Sequence, residues 1–449
     1  MTAGDLIQQR DLVVVGAGPA GAAAAIVAAR AGLSVVLIDK ARFPRDKCCG
    51  DGLTAAALHE LEHLGLQPAA VPSWQPVDRV ELHAPSGRTV RLPLPARSGQ
   101  HSVVARRQEL DAALLDVATR AGVELWEGQC CETVEPIGSS SVQVRTVAGR
   151  ITAPMLIAAD GAWSPIRKLC GVDHPVGYRG EWHAFRRYFG GAASQDGEAH
   201  RVQHVWFPAD LLPGYVWSFP LADGGVNVGY GVLRGRGAPL RDAAKVWSTL
   251  LARPEIAAVL GPDLTAQGAM KAWPIPARVG STALSAHDGR VLFVGDAAAA
   301  ADPMTGEGIG QALLTGRLAA QVAIDHLGPP GPLAKATDPG VTYGRLVRRH
   351  LVADHRLASW CGQLLSSTTG ADGSLWLVDR NDWTRRNFAR WMFEDYPRAL
   401  LATPRRWHRG MFTPAGAYRS ISRSGGPDRA KTVDQPPTTE SGHPGALTK

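Results

Sequence analysis

The apolar positions along the chain fall into three textures. Residues 11–15 form a short apolar run closed by Gly16, the pattern of a strand buried on both faces of a parallel sheet. Residues 20–31 are small and apolar and read as a helix, and residues 34–38 repeat the buried-strand pattern, so together they predict a compact βαβ unit. Residues 108–120 set Leu110, Leu114, Leu115 and Ala118 on one helical face. Between about residues 171 and 285 the period shifts toward two, with strand-like runs at 204–207 and 215–221. The second run passes through Ala222-Asp223-Gly224-Gly225 into 226–232, which predicts a hairpin. Runs at 155–159 and 290–294 read as further buried strands, the latter leading to a helix that begins near Glu307. Residues 345–420 are helical in texture and rich in Arg and Trp. Beyond about residue 422 apolar side chains almost vanish, which predicts disorder.

A chain of 449 residues can build two or more intertwined domains around a large core, and 45% hydrophobic with 20% charged residues is ordinary for a soluble globular protein. The net charge of +7 suits an anionic lipid or cofactor but does not argue for nucleic acid. Six cysteines occur as Cys48-Cys49, Cys130-Cys131, Cys170 and Cys361, without zinc-ligand spacing, so no metal is expected. Arg30, Gly32 and Ser34 interrupt the most apolar stretch, residues 20–38, and no signal peptide pattern opens the chain. The expectation is a cytoplasmic protein, with peripheral contact to the cytoplasmic face of a membrane as the further option.

Chemistry enters with Gly16-Ala17-Gly18-Pro19-Ala20-Gly21, which follows a strand and opens a helix. Gly16 permits the tight turn, Gly18 lets backbone approach a pyrophosphate, and Gly21 lets helix and strand pack closely. Asp39, followed by Lys40, stands where an adenosine ribose would be bound, about 20 residues on. A second cofactor segment runs through Gly295-Asp296-Ala297-Ala298 and then 302–309. Asp296 can bind ribityl hydroxyls, and the turn at Gly306, Gly308 and Ile309 offers backbone amides and a positive helix end to a flavin ring. Arg107 opens a helix, and Asp160-Gly161 forms another glycine turn after a strand.

These four segments, in this order, resemble flavoproteins of the p-hydroxybenzoate hydroxylase type. The resemblance implies an α/β fold: a Rossmann-like FAD-binding domain (8–75, 100–170 and 285–345) and an inserted α+β substrate domain with an antiparallel sheet (76–99 and 171–284). Beyond the resemblance, the texture of the chain predicts a C-terminal helical region (346–420) and a disordered tail (421–449). The resemblance also implies that FAD is held non-covalently, with Arg107, Asp160, Gly161 and Asp296 at the cofactor. A narrower resemblance, to geranylgeranyl reductases, rests on residues 43–53, with Cys49-Gly50-Asp51-Gly52, and on Tyr215-x-Trp217-x-Phe219-Pro220. Actinobacterial members of that family saturate one isoprene unit of a menaquinone side chain.

The resemblance makes Cys49, Tyr215 and Trp217 the candidate catalytic residues, with Cys49 and Gly50 also at the flavin. An unactivated prenyl alkene calls for an apolar channel ending at the flavin, and alternation along a strand points Tyr215, Trp217 and Phe219 to one face. The expected function is saturation of an isoprenoid C=C bond in a prenyl lipid, a polyprenyl quinone or geranylgeranyl compound. The electron donor, a nicotinamide or a ferredoxin, is left open. The alternative on the same frame is a flavin monooxygenase or halogenase. Trp383, Trp391 and Trp407, interleaved with Arg385, Arg386, Arg390, Arg398, Arg405, Arg406 and Arg409, suit either an interfacial region on anionic lipid or a helical cap on the substrate domain.

Overall fold

The computed structural model of the chain describes residues 7–95, 98–191, 201–235, 243–328, 338–393, 397–407, 411 and 415–419. The segment predicted to be disordered lies outside the described residues.

A parallel sheet holds the strands Val291–Phe293, Met155–Ala158, Leu12–Val15, Val35–Asp39 and Glu124–Glu127 in that spatial order. The short antiparallel strand Ser285–Ala286 adds one edge. The apolar runs predicted as buried strands occupy its centre, because both faces are covered. Helices Pro19–Arg30, Arg107–Arg120 and Ile309–Leu327 contribute to the same core as the four-stranded sheet of Ile7–Gln9, Gly149–Ala153, Ser141–Thr146 and Thr133–Ile137. Leu110, Leu114, Leu115 and Ala118 are all buried, as the helical period predicted.

A seven-stranded sheet follows the order Thr265–Ile275, Trp182–Gly190, Val226–Leu233, Tyr215–Pro220, Val202–Trp206, Arg79–His83 and Thr89–Pro93. Its pairings are antiparallel, except that Val202–Trp206 runs parallel to Arg79–His83. The predicted hairpin is present, with Tyr215 opposite Gly231 and Pro220 opposite Val226. Alternation separates the two faces. Phe185, Val216, Val228 and Tyr230 pack on one face in a core shared with helices Ala243–Leu251 and Pro254–Leu260. Tyr215, Trp217 and Phe219 turn to the other.

The C-terminal helices Pro339–Val347, Ala353–Leu364, Thr368–Val378 and Asp382–Phe393 close the molecule. Leu375, Val378 and Ala389 share a core with Val80, Leu82, Val90 and Leu92, so the last two helices cap the seven-stranded sheet. This is the cap expected as one of the two readings of the Arg/Trp-rich region.

Helix Ile309–Leu327 crosses Pro19–Arg30 closely because Gly316 has no side chain: a Cβ there would lie 2.1 Å from the Ala20 carbonyl oxygen. Alanine at position 316 favours the helix by about 1 kcal/mol, but overpacking against rigid backbone costs about 1–3 kcal/mol. Gly316→Ala should therefore lower the melting temperature by several degrees in a thermal scan. An unchanged or higher melting temperature would contradict this packing.

Candidate active site

The loops at the carboxyl ends of the parallel strands converge on one cavity of about 910 Å³ that continues across the inner face of the seven-stranded sheet. At its cofactor end Gly16 has φ +103°, and a Cβ there would lie 2.2 Å from the Ala159 carbonyl oxygen. A Cβ at Gly21 would lie 1.8 Å from the Gly16 oxygen, so only glycine permits this strand-to-helix turn. Gly18 differs: what lies near its missing Cβ is Arg45 Nη2 at 3.6 Å and Arg107 Nη2 at 4.0 Å. Helix N-terminus, bare backbone and two guanidiniums together form an anion slot.

Both guanidiniums are fixed by one acid. Asp111, fully buried, accepts Arg107 Nε and Nη2 at 2.8 Å each and Arg45 Nη1 at 3.0 Å. Asp39 is fixed as well: its two oxygens accept the Ala17 and Ala41 amides at 2.7 and 2.8 Å. The carboxylate thus clamps the glycine turn while its remaining lone pairs face the cavity. Asp160 serves its own turn, accepting the Ser164 hydroxyl and the Ile166 amide, and burial raises its pKa to about 6. Asp296 lines the cavity, and its carboxylate accepts no hydrogen bond from any described residue.

Loop 302–309 is built on a buried acid. Asp302 accepts the Met304 and Thr305 amides and the Thr305 hydroxyl at 2.8–3.0 Å, and Arg398 Nη1 at 2.6 Å. Burial opposes its ionisation, but Arg398 and the two amides outweigh that and hold the carboxyl below its usual range. Gly306, at φ +69°, and Gly308 carry the chain to the start of the Ile309–Leu327 helix. This donor set fits FAD: an amide-lined anion slot with two guanidiniums, a ribose-side carboxylate, an unsatisfied carboxylate for the ribityl chain, and a helix end for the ring.

The Cys48–Asp51 turn joins cofactor and substrate sides. Cys49 Sγ accepts the Asp51 amide at 3.3 Å. The Cys49 carbonyl accepts Asn227 Nδ2 at 2.9 Å and Arg186 Nε at 3.3 Å. Burial, reinforced by the Asp51 charge, pushes the Cys49 thiol above its usual range, and burial pushes Cys48 up to about 12. Both thiols are therefore neutral near pH 7. The glycines beside Cys49 do more than leave the loop open, because Gly50 and Gly52 make room for aromatic rings. A Cβ at Gly50 would meet Trp217 at 3.5 Å and Phe219 at 3.4 Å, and one at Gly52 would meet Phe219 at 3.1 Å.

The aromatic strand forms a wall of the cavity, with ring centroids 5.9 Å apart for Tyr215 and Trp217 and 6.3 Å for Trp217 and Phe219. Trp217 Nε1 donates to Asn227 Oδ1 at 3.1 Å, and its ring lies over Gly229, where a Cβ would approach to 2.1 Å. The Tyr215 hydroxyl donates to the Thr305 carbonyl, tying this wall to loop 302–309.

Of the residues expected at the site, Gly16, Gly18, Ala20, Asp39, Lys40, Cys49, Gly50, Arg107, Asp160, Gly161, Tyr215, Trp217, Asp296, Gly306, Gly308 and Ile309 all line this cavity. Gly21 is not among the lining residues; it packs against the Gly16 carbonyl and Ala159 at the strand-to-helix turn. Sequence reasoning missed Arg45, Lys47, Asp51, Asp111 and Asn227. Arg45, Lys47 and Asp51 lie inside the segment that carried the family resemblance. Asp111, four residues after Arg107 on one helix, was available as an i,i+4 pair. Nothing local marks Asn227, whose role depends on strand register. The sequence shows no metal spacing, yet Glu81, His83 and His204 converge through strand pairing. Arg79 and Arg91 already bind Glu81 there, at 3.0 and 3.3 Å.

Two substitutions test the cofactor end. Asp296→Ala removes the carboxylate left for the ribityl hydroxyls, and Gly18→Val fills the slot between Arg45 and Arg107. Each should weaken FAD binding at least tenfold in a fluorescence titration, and wild-type affinity in either variant would refute the corresponding half of the site.

Comparison with known proteins agrees with this geometry. The family model described as "FAD binding domain" matches residues 9–314. The chain is 35% identical over 334 residues to a menaquinone reductase of Mycolicibacterium smegmatis, covering 70% of this chain and 76% of that one. It is 32% identical over 338 residues to digeranylgeranylglycerophospholipid reductase 2 of Methanopyrus kandleri, covering 71% and 77%. Among solved structures, a geranylgeranyl bacteriochlorophyll reductase-like protein of Thermoplasma acidophilum superposes with a TM-score of 0.71 at 20% identity, covering 90% of this chain and 100% of that one. The flavin-dependent halogenase PltM, with FAD bound, shares the fold at a TM-score of 0.66 and 16% identity, covering 88% and 84%. The chain is thus an FAD-binding oxidoreductase of the p-hydroxybenzoate hydroxylase fold and belongs to the geranylgeranyl reductase family.

Proposed function

We propose that this flavoprotein saturates an isoprenoid C=C bond of a prenyl lipid, a polyprenyl quinone or geranylgeranyl compound. The observation that carries the reading is the continuity of the cavity. It runs from the FAD slot past Cys49, Tyr215 and Trp217 to an end lined by Leu82, Leu92, Val205, Leu375, Val378 and Phe388. Hydrocarbon burial favours an apolar chain there by roughly 25 cal/mol per Å². When bound, reduced FAD supplies hydride.

Protein groups do the rest. The aromatic wall and the capping helices hold the chain and exclude water. Tyr215, anchored to Thr305, and Trp217, anchored to Asn227, keep the reacting double bond beside the flavin loop. Cys49 presents a neutral thiol at the same wall, and the proton that completes the reduction enters from it or from solvent. The units serving cofactor and substrate are residues 8–75, 100–170 and 285–345 on one side and 76–99 and 171–284 on the other.

A substrate of this class resides in lipid. Among the described residues no helix is long and apolar enough to cross a membrane. Cys361, Leu364, Leu365 and Ser374 line the cavity on the helices whose outer surfaces carry exposed Trp360, Trp376 and Leu377. Trp383, Leu401 and Trp407 are exposed as well, Trp383 by 73% and Leu401 by 90%. The docking surface we propose is therefore led by indoles, of which the sequence reading had named Trp383 and Trp407, rather than by the arginines interleaved with them. Arg385, Arg398 and Arg406 are held by Asp379, Asp302 and Asp354, and Trp391 faces the cavity. Arg409 lies outside the described residues.

Trp217→Ala removes an indole worth on the order of 2–3 kcal/mol of burial, so anaerobic lipid turnover should fall ten- to a hundredfold with FAD still bound. Wild-type turnover in that variant would remove the main support for the channel. Trp376→Ser/Trp383→Ser should reduce sedimentation with phosphatidylglycerol-containing vesicles severalfold and leave turnover in detergent intact. Unchanged vesicle binding would place the lipid contact elsewhere.

A further inference from the structure

Lys47 lies in the loop that leads to Cys49, on the cavity wall between the cofactor slot and the seven-stranded sheet. Its Nζ stands 3.5 Å from the centroid of the Trp273 ring, and no described residue forms an ion pair or hydrogen bond with it. The other buried cations along this wall each have an acid. Arg45 and Arg107 share Asp111, Arg186 binds Asp46 at 2.6 Å, and Arg398 binds Asp302. Asp46 also binds the half-exposed Lys271 at 2.6 Å. A half-buried ammonium with no carboxylate within ion-pair distance is costly to keep, and an indole face compensates only part of its lost hydration. Such a charge persists where a ligand brings the missing negative charge.

Bound FAD offers two negative centres, the pyrophosphate and, once reduced, the ring. The pyrophosphate slot beside Gly18 already has two guanidiniums and a helix N-terminus. Lys47 instead rests on Trp273, which lies in one cross-sheet row with Ala184, Gly231 and Tyr215, on the side where ring and substrate meet. We propose that the Lys47 ammonium is the counter-charge of the reduced flavin ring and raises the reduction potential of the bound cofactor. The proposal rests on FAD being the cofactor and is independent of which lipid is reduced.

The same surroundings make this charge titratable. Burial lowers the Lys47 pKa to about 8; Asp296 and Cys48 oppose that shift, and Arg107 and Arg45 add to it. An anionic ring moves the value back up. In the pH range where the oxidised protein sheds the Lys47 proton and the reduced protein retains it, the midpoint potential should fall more steeply with pH.

The test is the two-electron midpoint potential of the FAD-loaded protein, measured by dye equilibration, together with its affinity for oxidised FAD. In Lys47→Met and Lys47→Gln, reduced FAD should bind at least tenfold more weakly relative to oxidised FAD, a fall of about 30 mV or more. Oxidised FAD should bind within about threefold of wild type, and the region of steeper pH dependence should disappear. Lys47→Arg should restore most of the potential. An unchanged potential overturns the proposal. An equal loss of affinity for oxidised and reduced FAD overturns it too, because it assigns Lys47 to the pyrophosphate. If both neutral variants fail to retain FAD, a Lys47→Arg variant whose ratio of reduced to oxidised FAD affinity falls at least tenfold below wild type overturns it independently.

Discussion

The site is organised around one buried carboxylate, Asp51, with no exposed surface. Tyr188 Oη donates to it at 2.6 Å and Asn227 Nδ2 at 2.8 Å from the seven-stranded sheet, and the Arg107 amide approaches at 3.3 Å from the cofactor side. Its own carbonyl accepts the Ala105 amide at 2.9 Å, and its amide meets the Cys49 sulfur. Burial raises its pKa to about 6 against the pull of Tyr188, Arg186, Asn227 and Arg107. A group this costly to desolvate is tolerated only when fully hydrogen-bonded. Satisfying it ties the seven-stranded sheet to the start of the Arg107–Arg120 helix across the Cys49 turn. Asn227 extends the same network, donating to Cys49 and accepting from Trp217, so turn and aromatic wall keep one register.

The cavity sorts its chemistry by depth. Charged groups gather at the carboxyl ends of the parallel strands, where most are neutralised in pairs and the rest await a dinucleotide. Aromatic rings follow, anchored through Thr305 and Asn227. Aliphatic side chains close the far end under the capping helices. An anionic cofactor and a hydrocarbon substrate can share one dry space because their surroundings change character over the width of the Cys48–Asp51 turn.

Local pattern was enough to read the βαβ unit, the Asp296 segment, the helix beginning near Arg107 and the Tyr215–Val232 hairpin, because each depends on neighbours close in sequence. Period-two alternation placed Tyr215, Trp217 and Phe219 on one face. The missing residues act across distance: Asp111 draws in Arg45 from 66 positions away, and Asn227 reaches Cys49 across 178. The arginine-rich C-terminal region left two readings open for a related reason. Charge in sequence does not reveal a distant partner, and Arg398 turns out to bind Asp302 at the base of the flavin loop. Trp360, Trp376 and Leu377, exposed on the C-terminal helices, were not named by the sequence reading.

The central claim is that this cavity brings reduced flavin to an isoprenoid double bond rather than to oxygen. Mass spectrometry of lipid products after turnover with a polyprenyl quinone, run anaerobically and in air, addresses it directly. Reduction predicts a gain of two hydrogens per turnover under both conditions. A product that forms only in air and has gained oxygen would contradict the account.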